Sequence, residues 1–258
     1  MRIVRIFIVS MEEPFFLPGF FEKIIEKNRE KIVGMTVLPP KESLVKIMLN
    51  EIRVNGLGNF SIKGLKFAYL KSVDFFGNFL QQKKVYSLRG LAKKYSIPVI
   101  ETRNVNDEKY IEKLQGINLD LIIAQSPQVF SKKLLEVAKI GCINKHASLL
   151  PKYRGLHPIV WAIANGEKEI GVTVHFMEEK VDSGPVIAQK SFRLKKGDTI
   201  DKLYEKVFKE AAVLIIKAIK DIEEKKLRTF RQKGKGSYYS VPDKETIVKF
   251  RKNLAGLK

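Results

Sequence analysis

The chain is poor in the residues on which several classes of protein depend. It contains one cysteine, Cys142, so neither an internal disulfide bond nor a cysteine-based zinc site can form within it. This usage is typical of a reducing compartment, and we expect a cytoplasmic protein. No apolar run approaches the roughly 20 residues that span a bilayer, so we expect no integral membrane segment. Residues 1–10 are apolar but short, and acidic residues follow at once, which predicts a first strand instead of a signal peptide.

Acidic residues are scarce relative to basic ones. The sequence has 48 Lys and Arg against 28 Asp and Glu, which gives a formal net charge of +20 at pH 7. An excess of this size favours an anionic partner such as RNA, an anionic membrane or a phosphorylated small molecule. A solvated, lysine-rich surface is the alternative. Hydrophobic residues make up 45% of the chain, which is typical of a globular protein and excludes a disordered one.

Several catalytic and binding motifs are also missing. The loop after the first predicted strand, residues 11–19, has no Gly-x-Gly-x-x-Gly, which argues against a dinucleotide site. No His-Glu-x-x-His sequence is present, and we expect no metal site. Ser148 lacks the Gly-x-Ser-x-Gly context of a nucleophilic serine, so acyl-enzyme chemistry is not favoured.

Segments with strand and helix periodicity alternate along most of the chain. The predicted strands cover residues 2–9, 31–38, 97–100, 120–124, 141–144, 169–176 and 185–192. The predicted helices cover residues 20–28, 85–95, 107–115, 131–138, 156–165, 198–225 and 244–252, with Gly116 as a predicted C-cap. This order predicts an α/β fold with a doubly wound, mainly parallel sheet.

Residues 41–84 interrupt this alternation and are interpreted as a helical insertion. Asn55–Asn59 breaks the pattern, and Phe60–Leu80 is rich in Phe, Leu and Lys at helical spacing. We expect this stripe to pack on the protein's own core; the alternative is that it lies on RNA or a membrane surface. We predict a catalytic domain over residues 1–195, with a long helix and a short, basic helical tail over residues 196–258 packed on it.

Residues 141–158 carry the most chemical information in the chain. An apolar segment ends at Asn144, and another polar residue, His146, follows two positions later. Side chains two apart in a strand point to the same side, so this pair would face the crevice where α/β sheets bind ligands. An amide and an imidazole there can hold a carbonyl group and stabilise the oxyanion formed when a nucleophile attacks it.

Such chemistry needs an acidic group that orients the imidazole and supports its protonated form. Asp182 is the best candidate, because it follows a predicted strand and lies in a turn close to Gly184. An ordinary turn aspartate is the alternative. His175 lies within a strand pattern and His157 precedes Pro158, and we interpret both as structural.

Three stretches of the sequence form a combined pattern: Asn144-x-His146-x-Ser148-Leu-Leu-Pro151-x-x-Arg154-Gly155, Gly171-Val-Thr-Val-His175 and Val181-Asp-Ser-Gly184. This pattern resembles the folate-dependent formyltransferase family. The resemblance covers residues 85–195 well and the flanking segments loosely. It implies a Rossmann-like sheet, in agreement with the fold predicted above. It also implies transfer of a formyl group from 10-formyltetrahydrofolate to a primary amine.

The resemblance implies roles for individual residues of this chain. Asn144 would bind the formyl oxygen, and His146 would stabilise the tetrahedral oxyanion. Asp182 would set the charge of the imidazole and help to carry protons through water. The Leu150–Pro151 bond matches a position that is cis in relatives.

Binding residues are implied in the same way. The pteridine ring of the folate would lie between two loops whose backbone groups read its edges. The residues of these loops are Gln128, Val129, Phe130 and Val181. The candidate residues for binding the acceptor are Pro14, Phe15, Ser148 and Arg154.

The acceptor amine is left open. Glycinamide-type relatives carry a Gly-rich phosphate loop where this chain has Met-Glu-Glu-Pro-Phe-Phe at residues 11–16, which argues against a purine-pathway acceptor. Methionyl-tRNA enzymes add a C-terminal β-barrel of about 100 residues. Residues 226–258 are too few for it, so we expect a methionyl-tRNA formyltransferase-like chain without that barrel. Transfer RNA, which the net charge favours, and a phosphorylated, nucleotide-linked amino sugar are the alternative acceptors.

Two readings of other kinds also remain. A non-catalytic module on the same fold would use its basic surface to bind RNA or a membrane. A hydrolase that releases formate would use the same Asn, His and Asp as a transferase. The sequence does not predict an oligomeric state.

Overall fold

A computed structural model describes residues 3–40, 44–80 and 85–257, which form an α/β fold. Within them, six strands form one sheet in the order β2-β1-β3-β4-β6-β7, and β5 and β8 form a separate pair. The strands are β1 (Ile6–Met11), β2 (Ile32–Leu38), β3 (Leu121–Gln125), β4 (Gly141–His146), β5 (Arg154–Gly155), β6 (Glu169–Phe176), β7 (Val186–Arg193) and β8 (Tyr238–Tyr239).

Parallel pairing joins β2 to β1, β1 to β3 and β3 to β4, and β6 and β7 then add in antiparallel register. The predicted mainly parallel sheet is therefore confirmed. From β1 the chain proceeds to β2 on one side and to β3 and β4 on the other. The carboxyl ends of these strands flank a switch in strand order, which is where open α/β sheets bind ligands.

Helices cover both faces of the sheet. They are α1 (Leu17–Asn28), α2 (Leu44–Leu80), α3 (Leu88–Lys94), α4 (Glu108–Gly116), α5 (Lys132–Leu135), α6 (Pro158–Ala164), α7 (Ile200–Glu223) and α8 (Lys244–Ala255), with a 3₁₀ turn at Arg29–Lys31. Ile6 and Ile8 join the core cluster that includes α1, α3, α6 and α7, whereas Phe7 and Val9 join the cluster with α4 and α5. Alternate residues of a strand face opposite sides, so a strand covered on both faces is apolar throughout.

The predicted insertion forms the long helix α2. Gly56 has φ 78° and interrupts the helix within the predicted break. Residues 41–43 and 81–84, at the two ends of the predicted insertion, lie outside the described residues. The expectation of core packing is wrong for residues 60–74, where Leu70 is the one buried side chain. No helix in the described ranges is both long enough and apolar enough to cross a membrane.

Two local expectations are wrong for physical reasons. Residues 97–100 do not form a strand of the sheet, and Val99 makes a single bridge with Met35. Pro98 lacks an N–H group and cannot donate to a ladder. Gly116 is not the C-cap of α4, because the helix continues through it and Asn118 takes the left-handed conformation (φ 61°), which asparagine tolerates.

The basic tail returns to the segment that follows β4. The Arg154 N–H donates to the carbonyl of Ser237 at 2.9 Å, and β8 pairs in parallel with β5. Gly155 has φ 91°, and a Cβ there would lie 2.2 Å from the Tyr239 carbonyl oxygen, so the pairing requires glycine. The division of the chain at residue 195 stays a prediction.

Candidate active site

Asn144 and His146 lie in the last three residues of β4, beside the switch in strand order. Asn144 is opposite Ala124 of β3 on one side and opposite His175 of β6 on the other. Because Asn144 and His146 are two residues apart in a strand, their side chains leave the same side of it. They therefore share the carboxyl edge of the parallel part of the sheet.

The Asn144 amide is oriented by Gln125, the last residue of β3. Gln125 Nε2 donates to Asn144 Oδ1 and to the Lys145 carbonyl, the latter at 3.1 Å. Because its oxygen is engaged, Asn144 is left with Nδ2 as a donor, and Nδ2 makes no hydrogen bond within the described part of the chain. Gln125 was not predicted; its signal in the sequence is a polar residue at the end of an apolar strand.

His146 lies between a carboxylate and a backbone carbonyl. Its Nδ1 is 3.4 Å from Asp182 Oδ2, and its Nε2 is 2.6 Å from the carbonyl oxygen of Tyr153. A carbonyl oxygen only accepts, so Nε2 carries the proton and donates it. Nδ1 is then the position at which a second proton is gained or lost. The loop that presents Tyr153 contains a cis Leu150–Pro151 bond, as predicted.

Burial and neighbouring groups determine the protonation states of Asp182 and His146. Burial opposes the charged form of Asp182, but interactions with His175, with His146 and with the Gly155 N–H outweigh it and lower the pKa of the carboxyl to about 2. Burial also lowers the pKa of the His146 imidazole, while the Asp182 charge partly offsets this effect. At neutral pH the pair therefore consists of an ionised carboxylate and a ring that can take up a proton.

A second histidine contacts the same carboxylate. His175, interpreted from the sequence as structural, places Nε2 3.6 Å from Asp182 Oδ1. The residue is 1% exposed, and Nε2 is buried without a hydrogen-bond partner among the residues that the structure describes. Buried polar atoms without a partner are rare in proteins, and the nearby Asp182 carboxylate is the group that offsets the burial of Nε2. In the part of the chain that is described, no group of three or more His, Cys, Asp and Glu could hold a metal ion.

Backbone geometry fixes Asp182 beside the histidines. Asp182 has φ 52°, in the left-handed region that aspartate adopts more readily than most residues. Gly184 permits the turn, because a Cβ there would lie 2.0 Å from the Phe176 carbonyl oxygen. The Gly155 N–H donates to Asp182 Oδ2 at 2.9 Å and links this turn to the loop after β4.

The C-terminal tail supports the same turn through Gln232. Gln232 Nε2 donates to the carbonyls of Asp182 and Gly184, each at 2.9 Å. Gln232 Oε1 accepts from Arg154 Nε at 3.2 Å and from Nη2 at 2.6 Å. The guanidinium of Arg154 therefore anchors the tail, and its predicted contact with an acceptor stays a prediction.

The predicted folate contacts lie on two loops, after β3 and after β6. The Gln128 side chain bonds to two backbone groups of the loop before α4, at 3.0 and 2.8 Å. Val129 is 57% exposed, whereas Phe130 is 2% exposed and packs in the core with α4 and α5. Val181 is half-buried. Val129 is thus accessible to a ligand, and Phe130 can contribute through its backbone but not through its ring.

The remaining predicted acceptor residues are on the loops after β1 and β4. Pro14 and Phe15 follow β1, and the Phe15 ring lies 6.2 Å from the Phe67 ring of α2, so the insertion and this loop form one surface. Ser148 is buried, and its hydroxyl donates to the Lys152 carbonyl at 2.6 Å. That hydroxyl is therefore already used within its own loop.

A buried lysine that was not predicted occupies the opposite side of β4. Lys145 is 8% exposed, and its Nζ lies 3.7 Å from the centroid of the Phe208 ring on α7. Burial lowers the pKa of Lys145 to about 7, against the opposing effects of Glu13 and Asp182. Burial also raises the pKa of the Glu13 carboxyl, which accepts backbone hydrogen bonds at the start of α1.

Replacing Lys145 with methionine is expected to stabilise the protein most at low pH. The pKa is about 7 in the folded state, against 10.5 for an unperturbed lysine. Between pH 7 and pH 10.5 the unfolded state binds more protons than the folded state, so the stability of the wild type rises with pH. Below pH 7 Lys145 is charged in both states, and the folded state bears the full cost of burying that charge. We expect a gain on the order of 3 kcal/mol at about pH 6 that shrinks towards pH 10, measured by urea unfolding.

Lys196→Met is the matched control, because Lys196 is exposed in a turn. It is expected to leave the free energy of unfolding unchanged across the same pH range. Equal or lower stability of Lys145→Met near pH 6 would show that Phe208 and Glu13 fully compensate the buried ammonium.

Comparison with known proteins decides the family. Residues 75–219, more than half of the 258-residue chain, match the family model of formyl transferases. The chain belongs to the formyl transferase family. The matched region contains Asn144, His146 and Asp182, and the family resemblance drawn from these residues is confirmed.

Individual relatives of this formyl transferase are methionyl-tRNA formyltransferases. The protein from Halalkalibacterium halodurans is 37% identical over 164 residues, which are 63% of this chain and 48% of that protein. The protein from Agathobacter rectalis is 41% identical over 134 residues, which are 52% of this chain and 43% of that protein. The chain thus spans about half the length of the curated relatives that it matches.

Solved structures agree with the fold. Phosphoribosylglycinamide formyltransferase from Anaplasma phagocytophilum has a TM-score of 0.61 at 18% identity and covers 93% of this chain and 99% of that one. The N-formyltransferase from Helicobacter canadensis, in complex with folinic acid and dTDP-3-aminofucose, has a TM-score of 0.61 at 19% identity over 97% of this chain and 80% of that one. At these identities the likeness shows a shared fold and no more.

Proposed function

We propose that this formyl transferase moves a formyl group from 10-formyltetrahydrofolate to a primary amine. The observation that carries the proposal is the convergence of three side chains at the carboxyl end of β4. Asn144 has an oriented amide, and His146 lies 3.4 Å from the Asp182 carboxylate. An amide donor beside a histidine–carboxylate pair suits the stabilisation of a carbonyl oxygen that becomes an oxyanion.

The unused polar atoms of the site fit a formyl group. Asn144 Nδ2, whose partner oxygen is held by Gln125, donates to the formyl oxygen in this proposal. Proton uptake at His146 Nδ1 produces an imidazolium between the Asp182 carboxylate and the Tyr153 carbonyl. The positive charge of that ring then stabilises the oxygen as negative charge develops on it.

The proposed reaction conserves atoms and charge without a further reactant. Attack of the amine on the formyl carbon forms a new C–N bond and places negative charge on the oxygen. The amine loses one proton, N10 of the folate gains one and the C–N10 bond breaks, so the products are a formamide and tetrahydrofolate. In this proposal His146 Nδ1 accepts and returns that proton through water, while Asp182 stabilises the charged ring.

The folate would bind between the loops that follow β3 and β6. The exposed Val129 and the half-buried Val181 would contact the pteridine ring. Backbone groups near Gln128 and Phe130 would bond to its edges, since the Gln128 side chain is engaged and the Phe130 ring is buried.

For the acceptor we propose methionyl-tRNA. The curated relatives act on it by name, and the net charge of +20 suits a nucleic acid. Pro14 and Phe15, on the loop that meets α2, would contact the aminoacyl end together with Arg154, whereas the buried Ser148 would support its own loop through its hydroxyl. A phosphorylated, nucleotide-linked amino sugar is the alternative acceptor.

Incubation of the purified chain with 10-formyltetrahydrofolate and a panel of amines tests this function. The panel contains methionyl-tRNA, a nucleotide-linked amino sugar and small amines, and formylated product is quantified by mass spectrometry together with tetrahydrofolate. We expect stoichiometric formamide and tetrahydrofolate with one acceptor. Formate released without any acceptor would support a hydrolase instead. Failure of a folate analogue to bind in calorimetry would contradict the proposal.

A further inference from the structure

One segment of the C-terminal tail is held at both ends where it passes the active site. At its start, the backbones of Phe230 and Val186 of β7 exchange hydrogen bonds of 2.8 and 3.0 Å. At its end, the Tyr239 ring stacks on the rings of Tyr153 and Trp161, with centroids 5.5 and 4.4 Å away. Because the sheet and α6 fix these two ends, the residues between them can hold the loops that they contact.

The Nδ1 side of the His146 ring is supported by Gln232. The amide Nε2 of Gln232 donates to the carbonyls of Asp182 and Gly184, each at 2.9 Å, in the turn that presents the carboxylate. Asp182 has φ 52°, a conformation that is uncommon for residues other than glycine. Bonds from outside the turn therefore help to keep the Asp182 carboxylate 3.4 Å from His146 Nδ1.

The Nε2 side of the ring is supported by Ser237. Ser237 Oγ accepts from the Tyr153 N–H at 2.9 Å, and the Ser237 N–H donates to the Pro151 carbonyl at 3.2 Å. Tyr153 has φ 59°, and such a conformation persists where the surrounding structure maintains it. Ser237 thus fixes the peptide groups around Tyr153, whose carbonyl accepts from His146 Nε2 at 2.6 Å.

We propose that Gln232 and Ser237 are positioning residues, which act on the reaction by holding the two partners of the His146 ring in place. Neither residue touches the reacting atoms in this proposal. A displacement of about 1 Å in such a support can cost up to about a hundredfold in rate, because the productive geometry is narrow. The role in catalysis rests on the formyl transfer proposed above, whereas the effect on the ring can be measured without substrate.

The ionisation of His146 reports whether these supports are in place. Burial lowers the pKa of the His146 imidazole, whereas the Asp182 charge and the Tyr153 carbonyl raise it. The charges of His175 and Lys145 also act on the ring, and both lower the pKa. Loss of a tail contact should weaken one of the two contributions that raise the pKa, so the pKa should fall further.

NMR titration of Gln232→Met and Ser237→Ala tests the proposal without substrate. The chain has three histidines, and the His146 resonance is identified by its loss from His146→Asn. We expect the pKa of His146 to fall in both variants, but by less than in Asp182→Asn, because the carboxylate keeps its charge. Ser237→Thr keeps the hydroxyl and should restore the wild-type value. Gln115→Met, at an exposed glutamine of α4, is the matched control and should leave the pKa of His146 unchanged.

Steady-state kinetics test whether the supports matter to the reaction. Gln232→Met and Ser237→Ala should each lower kcat about tenfold and shift the pH–rate profile to lower pH. In an Asp182→Asn background, Gln232→Met should cost less than about twofold, because the group through which it acts is already changed. Gln232→Glu keeps the acceptor for Arg154 but has no N–H for the two carbonyls. It should be as slow as Gln232→Met, and it serves in its place if circular dichroism shows that Gln232→Met is unfolded.

The role of either residue is overturned if its folded variant leaves the pKa of His146 at the wild-type value. The role of Gln232 is also overturned if Gln232→Met lowers kcat by the same factor with and without Asp182→Asn, since the two residues then act independently. Absence of formyl transfer by the wild type would contradict the proposed function, and the titration would still decide whether the tail positions His146.

Discussion

Replacing His146 with alanine is expected to lower kcat/KM for formyl transfer by about 10³-fold, since a positioned proton-transfer group and an oxyanion-stabilising charge each contribute factors of 10² or more. In the structure this ring bridges the Asp182 carboxylate and the Tyr153 carbonyl. Alanine removes the site that takes up the proton and leaves the carboxylate without that partner. Formylated product, measured by mass spectrometry with saturating folate donor, reports the loss.

The fold must be shown to survive this change, because His146 is 6% exposed and its removal leaves a small cavity. His146→Asn fills more of that space and should be as inactive as the alanine variant. His157→Asn is the matched control, because it makes the same replacement at a histidine to which no role in the reaction is assigned, and asparagine tolerates its φ of 51°. Activity of His146→Ala above about a tenth of wild type would remove the residue from the catalytic role proposed for it.

Replacing Asp182 with asparagine is expected to have the second-largest effect, about 10²- to 10³-fold on kcat. Asparagine keeps the size of the side chain and accepts the φ of 52°, so the turn should persist. What is lost is the negative charge that raises the pKa of His146 against the effect of burial. The variant should therefore need a lower pH to protonate the ring, and its pH–rate profile should shift to lower pH.

The free energy of unfolding gives an independent measure of the effect of the Asp182 charge. The pKa of Asp182 is about 2 in the folded state, against an ordinary value of 3.8. This carboxylate therefore stabilises the fold above about pH 4, and that contribution is lost as the pH falls towards 2. We expect Asp182→Asn to lose about 2 kcal/mol of unfolding free energy near pH 7, with the difference from wild type narrowing in acid. Glu179→Gln, an exposed neighbour, should change neither activity nor stability. A constant stability difference at all pH values would mean that the charge of Asp182 is not what stabilises the fold.

Local sequence patterns were sufficient to predict the central strands of the sheet. The apolar runs before Ser10, Gln125 and Asn144 each predicted a strand, and the structure contains β1, β3 and β4 there. The alternation of Asn144 and His146 likewise follows from the two-residue period of a strand. The strand expected at residues 97–100 failed because periodicity takes no account of the N–H group that Pro98 lacks.

The contacts among the polar residues of the site could not be predicted from local sequence patterns. His175 and Gln125 meet Asp182 and Asn144 only because β6 and β3 flank β4 in the sheet. Lys145 lies between the two predicted residues in the sequence, yet its burial depends on Phe208 of α7. Strand order and helix packing, which no single segment encodes, decide each of these contacts.

The sequence was enough to predict the alternation of strands and helices, the polar pair at the end of β4 and the family. These depend on side-chain chemistry and on spacing within short segments. Only the folded structure shows that Gln232 holds the backbone of Asp182 from 50 residues away, and that Ile62, Leu65 and Tyr69 of α2 are exposed. Such contacts, and the exposure of side chains that lack them, depend on how distant segments of the chain pack together and exclude water. Local periodicity does not specify this packing.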